Sequence, residues 1–208
     1  FAVLNAEPTQ VADAIADPAV AAVTLTGSVG AGSTVSALAG RHVKKCVLEL
    51  GGSDAFIVLA DADLDTAVDA AVTARFQNTG QVCIAAKRFI LDESISDDFT
   101  NRLLTAVQRL NVGNPLDEST DIGPMARLDL RDELSQQVTD SIAQGATLLC
   151  GGDAPEGAGF FYTPTVLSGV RPGMPAFDDE TFGPVAALVD ANDATHAIQL
   201  ANMSKFGL

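Results

Sequence analysis

Three short stretches of this sequence hold residues whose types and spacing could do chemistry. Cys83 lies in Gln77-Asn78-Thr79-Gly80-Gln81-Val82-Cys83-Ile84, where a polar, glycine-containing segment closes a helix and an apolar run follows the thiol. A free cysteine has a pKa near ~8.5, so a base or a helix N-terminus must raise its thiolate fraction before the sulfur is a useful nucleophile. Glu49 sits in the apolar run Val47-Leu48-Glu49-Leu50 and is followed by Gly51-Gly52. A carboxylate at a strand end beside two glycines can reach a cleft, and partial burial would raise its pKa toward the range of a general base. The third stretch, Gly27-Ser28-Val29-Gly30-Ala31-Gly32, follows the strand-like residues 21–26 and reads as a turn into a helix over 33–40. It would gather bare backbone N–H groups at a helix N-terminus, a geometry that suits a pyrophosphate.

Each stretch also has a plain structural reading. Cys83 could be a small buried hydrophobe, Glu49 a solvent-facing alternate position, and 27–32 an ordinary strand-to-helix turn. The turn is not a phosphate-binding loop of the Walker type, because Ser33 stands where its lysine must be, and it is not a dinucleotide fingerprint, because Val35 stands where a glycine or alanine belongs. Cys46 and Cys150 lie in apolar strand-like runs and read as small buried hydrophobes; His42 and His196 read as surface residues. No metal site is expected from three dispersed cysteines and two histidines.

These residues need elements to hold them. Strands are expected at 45–50 and 55–59, flanking Gly51-Gly52. A helix is expected over 61–78, with Leu64, Ala67, Val68, Ala71 and Val72 on one face and Asp61 or Asp63 as its cap. A strand at 88–91 follows Cys83, and 96–110 repeats the helical spacing through Phe99, Leu103, Leu104, Val107 and Leu110. A long helix over 127–144 ends at Gly145, then come strands at 147–150, 165–170 and 185–189, and a last helix at 192–203. Strands alternating with helices predict an α/β fold with mostly parallel pairing.

With 208 residues, 47% of them hydrophobic, the chain can bury a real core. Its formal charge of -15 opposes phosphate backbones and anionic lipid, so neither nucleic acid nor a membrane is expected as a partner. The odd, dispersed cysteines fit a reducing compartment, and the cytoplasm is the expected location. The chain opens at Phe1 and stops at Leu208 inside what reads as ordered structure, as though truncated at both ends.

Taken together, the three stretches resemble motifs of the aldehyde dehydrogenase superfamily. Val23-Thr24-Leu25-Thr26-Gly27-Ser28 with Gly32 is similar to its cofactor-proximal turn, Leu48-Glu49-Leu50-Gly51-Gly52 to its glutamate motif, and Gly80-Gln81-Val82-Cys83 to its cysteine motif. The interval from Glu49 to Cys83 also fits. Glu180-Thr181-Phe182-Gly183-Pro184 resembles the segment that holds the nicotinamide ribose, and Ala201-Asn202 with Phe206-Gly207-Leu208 the segment after the last long helix. The runs 76–90, Gly123-Pro124-Met125-Ala126-Arg127 and Leu130-Arg131-Asp132-Glu133-Leu134 are most similar to bacterial succinate-semialdehyde dehydrogenases. One departure bears on substrate: a better-known group of these enzymes has Arg at the position of Gln77, where it helps bind the distal carboxylate, and an amide offers no charged fork.

The resemblance implies an aldehyde dehydrogenase-like fold: residues 1–50 as the end of a Rossmann-type cofactor domain, and 51–208 as an α/β catalytic domain, truncated at its C-terminal edge. It implies that an aldehyde, with succinate semialdehyde the expected substrate, is oxidised with NAD or NADP. Cys83 would attack, Glu49 would serve as base, and the two would face a shared cavity at the domain junction. Gly27, Ser28, Gly32, Leu50, Glu180 and Phe182 would contact the cofactor. It further implies a homo-oligomeric full-length protein. The family's Asn oxyanion donor would precede Phe1, and losing such a donor costs about 2.7–4 kcal/mol, so these residues alone are expected to turn over little. Two other readings remain open at this point: a truncated, non-enzymatic remnant, and a thiol acyl hydrolase that uses Cys83 and Glu49 without a nicotinamide.

Overall fold

Strand and helix alternate through the computed structural model, which describes residues 1–207, and the chain divides into two compact units, one ending at Gly51 and one beginning at Gly52.

The first unit is small. Helix α1 (Pro8–Ala16) starts on a reciprocal cap, with the Glu7 N–H donating to Gln10 Oε1 at 2.8 Å and Pro8 at the first helical position. Strands β1 (Ala22–Thr26) and β2 (Lys45–Glu49) pair in parallel, with Ala22 opposite Lys45 and Thr26 opposite Glu49. Helix α2 (Val29–Arg41) joins them and packs on both. Apolar burial is thin: Ile15 and Ala39 are buried, while Val47 is 59% exposed. Helix α1 was not anticipated from the sequence; its short, alanine-rich run has a narrow apolar face. The stretch 27–32 also differs from expectation, since α2 already begins at Val29 and leaves only Gly27-Ser28 as the turn. The Ser28 hydroxyl accepts the Ala31 N–H at 3.2 Å, and this cap starts the helix one turn earlier than the glycines suggested.

The second unit is built on a five-stranded sheet in the order β3-β4-β7-β6-β5. Its strands are β3 (Asp54–Val58), β4 (Ala86–Asp92), β5 (Thr147–Cys150), β6 (Thr165–Ser168) and β7 (Val185–Ala191). All neighbours are parallel except the edge strand β5, which runs antiparallel to β6. This is the mostly parallel α/β architecture that the alternation of elements predicted.

The sheet is covered on both faces, so its central strands are apolar over most of their length. Phe89 and Leu91 of β4, with Ala186 and Leu188 of β7, pack against helices α3 (Leu64–Phe76) and α4 (Ser96–Val107) through Val68, Ala71, Phe99 and Leu103. The alternate residues Ile90, Val185, Ala187 and Val189 face α5 (Leu128–Ala143), the short α6 (Pro175–Asp178) and α7 (Ala194–Asn202). Asp63, not Asp61, caps α3, accepting the Thr66 N–H at 2.9 Å. That bond holds the Asp63 carboxyl below its ordinary pKa.

Helix α3 is shorter than its periodicity implied. It stops at Phe76, and residues 77–80 form a tight kinked turn with Asn78 at φ 53° and Thr79 at φ 57°. Such left-handed values are unfavourable for a β-branched residue. Two side-chain bonds hold them: Thr79 Oγ1 donates to the Gly123 carbonyl at 3.2 Å, and Asn78 Nδ2 to that of Gln81 at 3.1 Å.

Candidate functional site

The groups with chemical potential fall in two places, one in each unit. In the first unit they collect at the C-terminal ends of β1 and β2. Gly27 and Ser28 follow β1, and Glu49 ends β2; the Gly27 N–H donates to the Glu49 carbonyl at 3.0 Å, which locks the two strand ends together. Gly32 in the first turn of α2 lies against Leu50: a Cβ there would stand 2.6 Å from Leu50 Cδ2. Gly27, Ser28, Glu49, Gly32 and Leu50 are therefore neighbours.

Gly27, Ser28, Val29 and Gly30 are exposed, and the first N–H groups of α2 have no carbonyl of their own helix to reach. This end can receive a phosphate. Glu49 departs from expectation: its side chain is exposed, while Cys46 and Leu48 take the inward positions. Partial burial is not a feature of this carboxylate, because β2 alternates and Glu49 falls on its outward phase. Cys46 is half-buried rather than sealed, since the two-stranded sheet is too small to enclose it.

In the second unit the groups collect at the opposite kind of edge. Strands β3, β4 and β7 are parallel neighbours, so all three begin at the same side of the sheet. The segments that lead into them, 52–53, 80–85 and 180–184, meet there. Cys83 is half-buried in the turn just before β4, which the Ala85 N–H closes by donating to the Val82 carbonyl at 3.1 Å.

Gly80 opens that turn with φ +70°, and a Cβ on it would lie 2.3 Å from the Gly183 carbonyl oxygen. Only glycine permits this approach of the two backbones. Gln81 adds a further tie, its Oε1 accepting the Ala126 N–H at 3.0 Å.

Three buried cations organise this edge, and the sequence reading assigned a role to none of them. Lys87 is 0% exposed, and its ammonium donates to the carbonyls of Val82, Cys83 and Ala85 at 3.2, 2.8 and 3.3 Å. It also lies 3.5 Å from Glu180 Oε1. Burial pushes its pKa down, and the Glu180 charge opposes that shift.

Arg75, also 0% exposed, donates from Nη2 to the Gly80 carbonyl at 2.6 Å, while its Nε and Nη1 have no partner among the described residues. Burial lowers its pKa to about 10, against the pull of Glu180. Arg88 points to the other face of β4. It donates from Nη2 to Ser53 O at 2.7 Å and from Nη1 to Leu200 O at 3.0 Å, and its guanidinium lies 5.1 Å from the Phe177 ring centroid. The signal for Lys87 and Arg88 was present: two cations stand near the start of a strand whose middle, Phe89-Ile90-Leu91, is apolar, and such residues stay inside only when paired.

Glu180 is held from three sides. Its carbonyl accepts Gln137 Nε2 at 3.1 Å, and its Oε1 accepts the Gly52 N–H at 3.2 Å besides facing Lys87. The side chain keeps 20% exposure, so a carboxylate with one oxygen fixed remains accessible to a hydroxyl donor such as a ribose. Phe182 beside it is half-buried. Gln77 is exposed at the start of the kinked turn.

Cys150 is half-buried, with its pKa raised by burial, which keeps it a thiol. His42 is exposed. His196 is half-buried rather than on the surface, its Nδ1 accepting the Asn192 N–H at 3.2 Å near the start of α7. Among the described residues, no group of three or more His, Cys, Asp or Glu could hold a metal ion, and no helix is long and apolar enough to cross a membrane.

Compared with known proteins, residues 1–208 match the aldehyde dehydrogenase family. The chain is 59% identical over 205 residues to the NAD(P)+ succinate semialdehyde dehydrogenase Sad of Escherichia coli strain K12, covering 99% of this chain and 44% of that protein. Among solved structures it is similar to succinate-semialdehyde dehydrogenase from Burkholderia pseudomallei, with a TM-score of 0.94 and 35% identity over 98% of this chain and 42% of that one. It is also similar to lactaldehyde dehydrogenase from Escherichia coli, with a TM-score of 0.92 and 40% identity over 95% of this chain and 42% of that one. The chain thus spans less than half the length of these relatives. One fold serves both named aldehydes, so the backbone alone does not choose between them.

Proposed function

This chain belongs to the aldehyde dehydrogenase family, and on that premise we propose that the protein carrying it oxidises succinate semialdehyde to the carboxylic acid with NAD or NADP, through a covalent intermediate on Cys83. The observation that carries the reading is the 59% identity to a succinate semialdehyde dehydrogenase across nearly the whole chain. Because the chain covers 44% of that relative, the activity is assigned to the full-length protein, and these 208 residues alone are expected to turn over little.

The chemistry proceeds from this chain's own residues. The Cys83 thiolate adds to the aldehyde carbon and forms a thiohemiacetal, whose oxyanion accepts a hydrogen bond from the Cys83 N–H. Collapse of the oxyanion expels hydride and leaves a thioester on Cys83. The nicotinamide ring, when bound, is the acceptor for that hydride. Glu49 then takes a proton from water, and the hydroxide releases the acid and regenerates the thiol. The exposed strand-end position of Glu49 suits a base that must reach water.

Gly27 and Ser28, with the close packing of Gly32 on Leu50, would hold the pyrophosphate side of the cofactor. Glu180 would bind the nicotinamide ribose, with Phe182 against the ring. Arg75 is sealed against the Gly80 carbonyl, which leaves the exposed amide of Gln77 to meet the distal carboxylate of the substrate.

The test is steady-state and single-turnover kinetics on the full-length protein with each cofactor and a panel of aldehydes with and without a distal carboxylate. Succinate semialdehyde is expected to give the highest kcat/KM, and Cys83→Ala no turnover. Glu49→Gln is expected to keep a single-turnover burst of reduced cofactor and lose about 10²–10⁴ in steady-state rate. Preference for an aldehyde without a carboxylate would overturn the substrate assignment, and turnover in Cys83→Ala would overturn the mechanism.

A further inference from the structure

We propose that Lys87 is a positioning residue that ties the turn carrying Cys83 to the carboxylate of Glu180, so that the thiol and the ribose-binding group are set by one buried ammonium. The proposal rests on the reading above, in which Cys83 attacks and Glu180 holds the cofactor.

The geometry behind it is a convergence. Three carbonyls within four residues, those of Val82, Cys83 and Ala85, turn toward a single Nζ. An ammonium carries three N–H donors and no acceptor, and three carbonyls engage all of them. The fourth neighbour, Glu180 Oε1 at 3.5 Å, supplies the opposite charge without which a fully buried lysine would be strongly disfavoured.

Glu180 in turn is tethered at that same oxygen by the Gly52 N–H, which fixes the rotation of its carboxylate and leaves the other oxygen for a ligand. A neutral side chain at position 87 could fill the volume but could not satisfy three inward carbonyls and orient a carboxylate together. Coupling between partners of one buried network is expected to be non-additive and reciprocal.

The experiment is a double-mutant cycle in the full-length protein, with Lys87→Met, Glu180→Gln and the pair. Two quantities are read: the cofactor Kd, and the rate of Cys83 alkylation by iodoacetamide without cofactor, resolved from Cys46 and Cys150 by peptide mass spectrometry. Lys87→Met is expected to raise the cofactor Kd by about tenfold in the native background and by less than about twofold when residue 180 is already Gln. Each single variant is expected to change the Cys83 alkylation rate by about threefold or more. Equal effects of Lys87→Met on Kd in both backgrounds would mean a packing role only and overturn the proposal.

Should Lys87→Met fail to fold, Glu180→Gln alone decides, because it leaves Lys87 in place: an unchanged alkylation rate at Cys83 overturns the link, and a changed one supports it. If Glu180→Gln leaves the cofactor Kd untouched yet shifts alkylation, the ribose assignment of Glu180 falls while the link through Lys87 stands.

Discussion

The two units solve opposite hydrogen-bonding problems. In the first, the candidate groups sit at the C-terminal ends of parallel strands, where a helix N-terminus leaves N–H donors exposed at Ser28, Val29 and Gly30. In the second, they sit where β3, β4 and β7 begin, and the segments leading into those strands turn carbonyls inward. Spare donors at a surface can wait for an anion. Inward carbonyls cannot stay unpaired, so Arg75, Lys87 and Arg88 are buried to meet them. The first edge is therefore open and adaptable, and the second is rigid.

The sharpest way to break this contrast is to add one methyl group in each unit. Gly80→Ala must place a Cβ against the Gly183 backbone at a positive φ, and neither backbone can yield cheaply. The expected loss is about 3 kcal/mol or more, read as a fall in the denaturation midpoint of the second unit. A midpoint within error of the native protein would show that the 80–85 turn is not rigid.

A smaller effect isolates the second unit by its chromophore. The single tyrosine, Tyr162, is buried there, and burial pushes its phenol up to about 12 from 10.0. An acid whose folded pKa is raised contributes its full stability below the unfolded value and loses it as pH rises toward the folded one. Stability should thus fall by on the order of 2 kcal/mol between about pH 10 and pH 12 as the unfolded chain releases its proton first. Tyr162→Phe should flatten that decline. Phenolate absorbance that rises with a midpoint near pH 10 in the folded protein would contradict the burial.

The smallest effect belongs to the first unit. In Gly32→Ala the new Cβ meets the Leu50 side chain, nearest at its two terminal methyls, which can swing aside, and alanine is the better helix former by about 1 kcal/mol. The net change in stability should lie within about 1 kcal/mol, measured by denaturant titration. A loss as large as that of Gly80→Ala would erase the distinction between the two edges.

Much of this was legible along the chain. The strands over β2, β4 and β7 and the amphipathic faces of α3 and α4 stand out by local pattern, as do Cys83 and Glu49 as candidates for chemistry, whereas Glu180 was marked only by the family resemblance. Besides missing helix α1, pattern reading mistook starts and stops: α2 begins a turn early because Ser28 caps it, and α3 ends early because Thr79 and Asn78 are held in left-handed conformations by bonds to Gly123 and Gln81. The exposure of Glu49 was misjudged because a two-stranded sheet has little with which to bury anything.

The sequence alone determined which residue types are present to do chemistry and, α1 apart, most of the segments that are helix or strand, since both follow from local spacing and side-chain kind. The tertiary structure alone decided that positions as distant as Gly52, Lys87 and Glu180 share one edge, because parallel pairing aligns the beginnings of strands whatever the length of chain between them. Burial of the three cations follows from the same cause. Their acceptors are carbonyls, which every residue carries, so no sequence pattern marks where those oxygens converge.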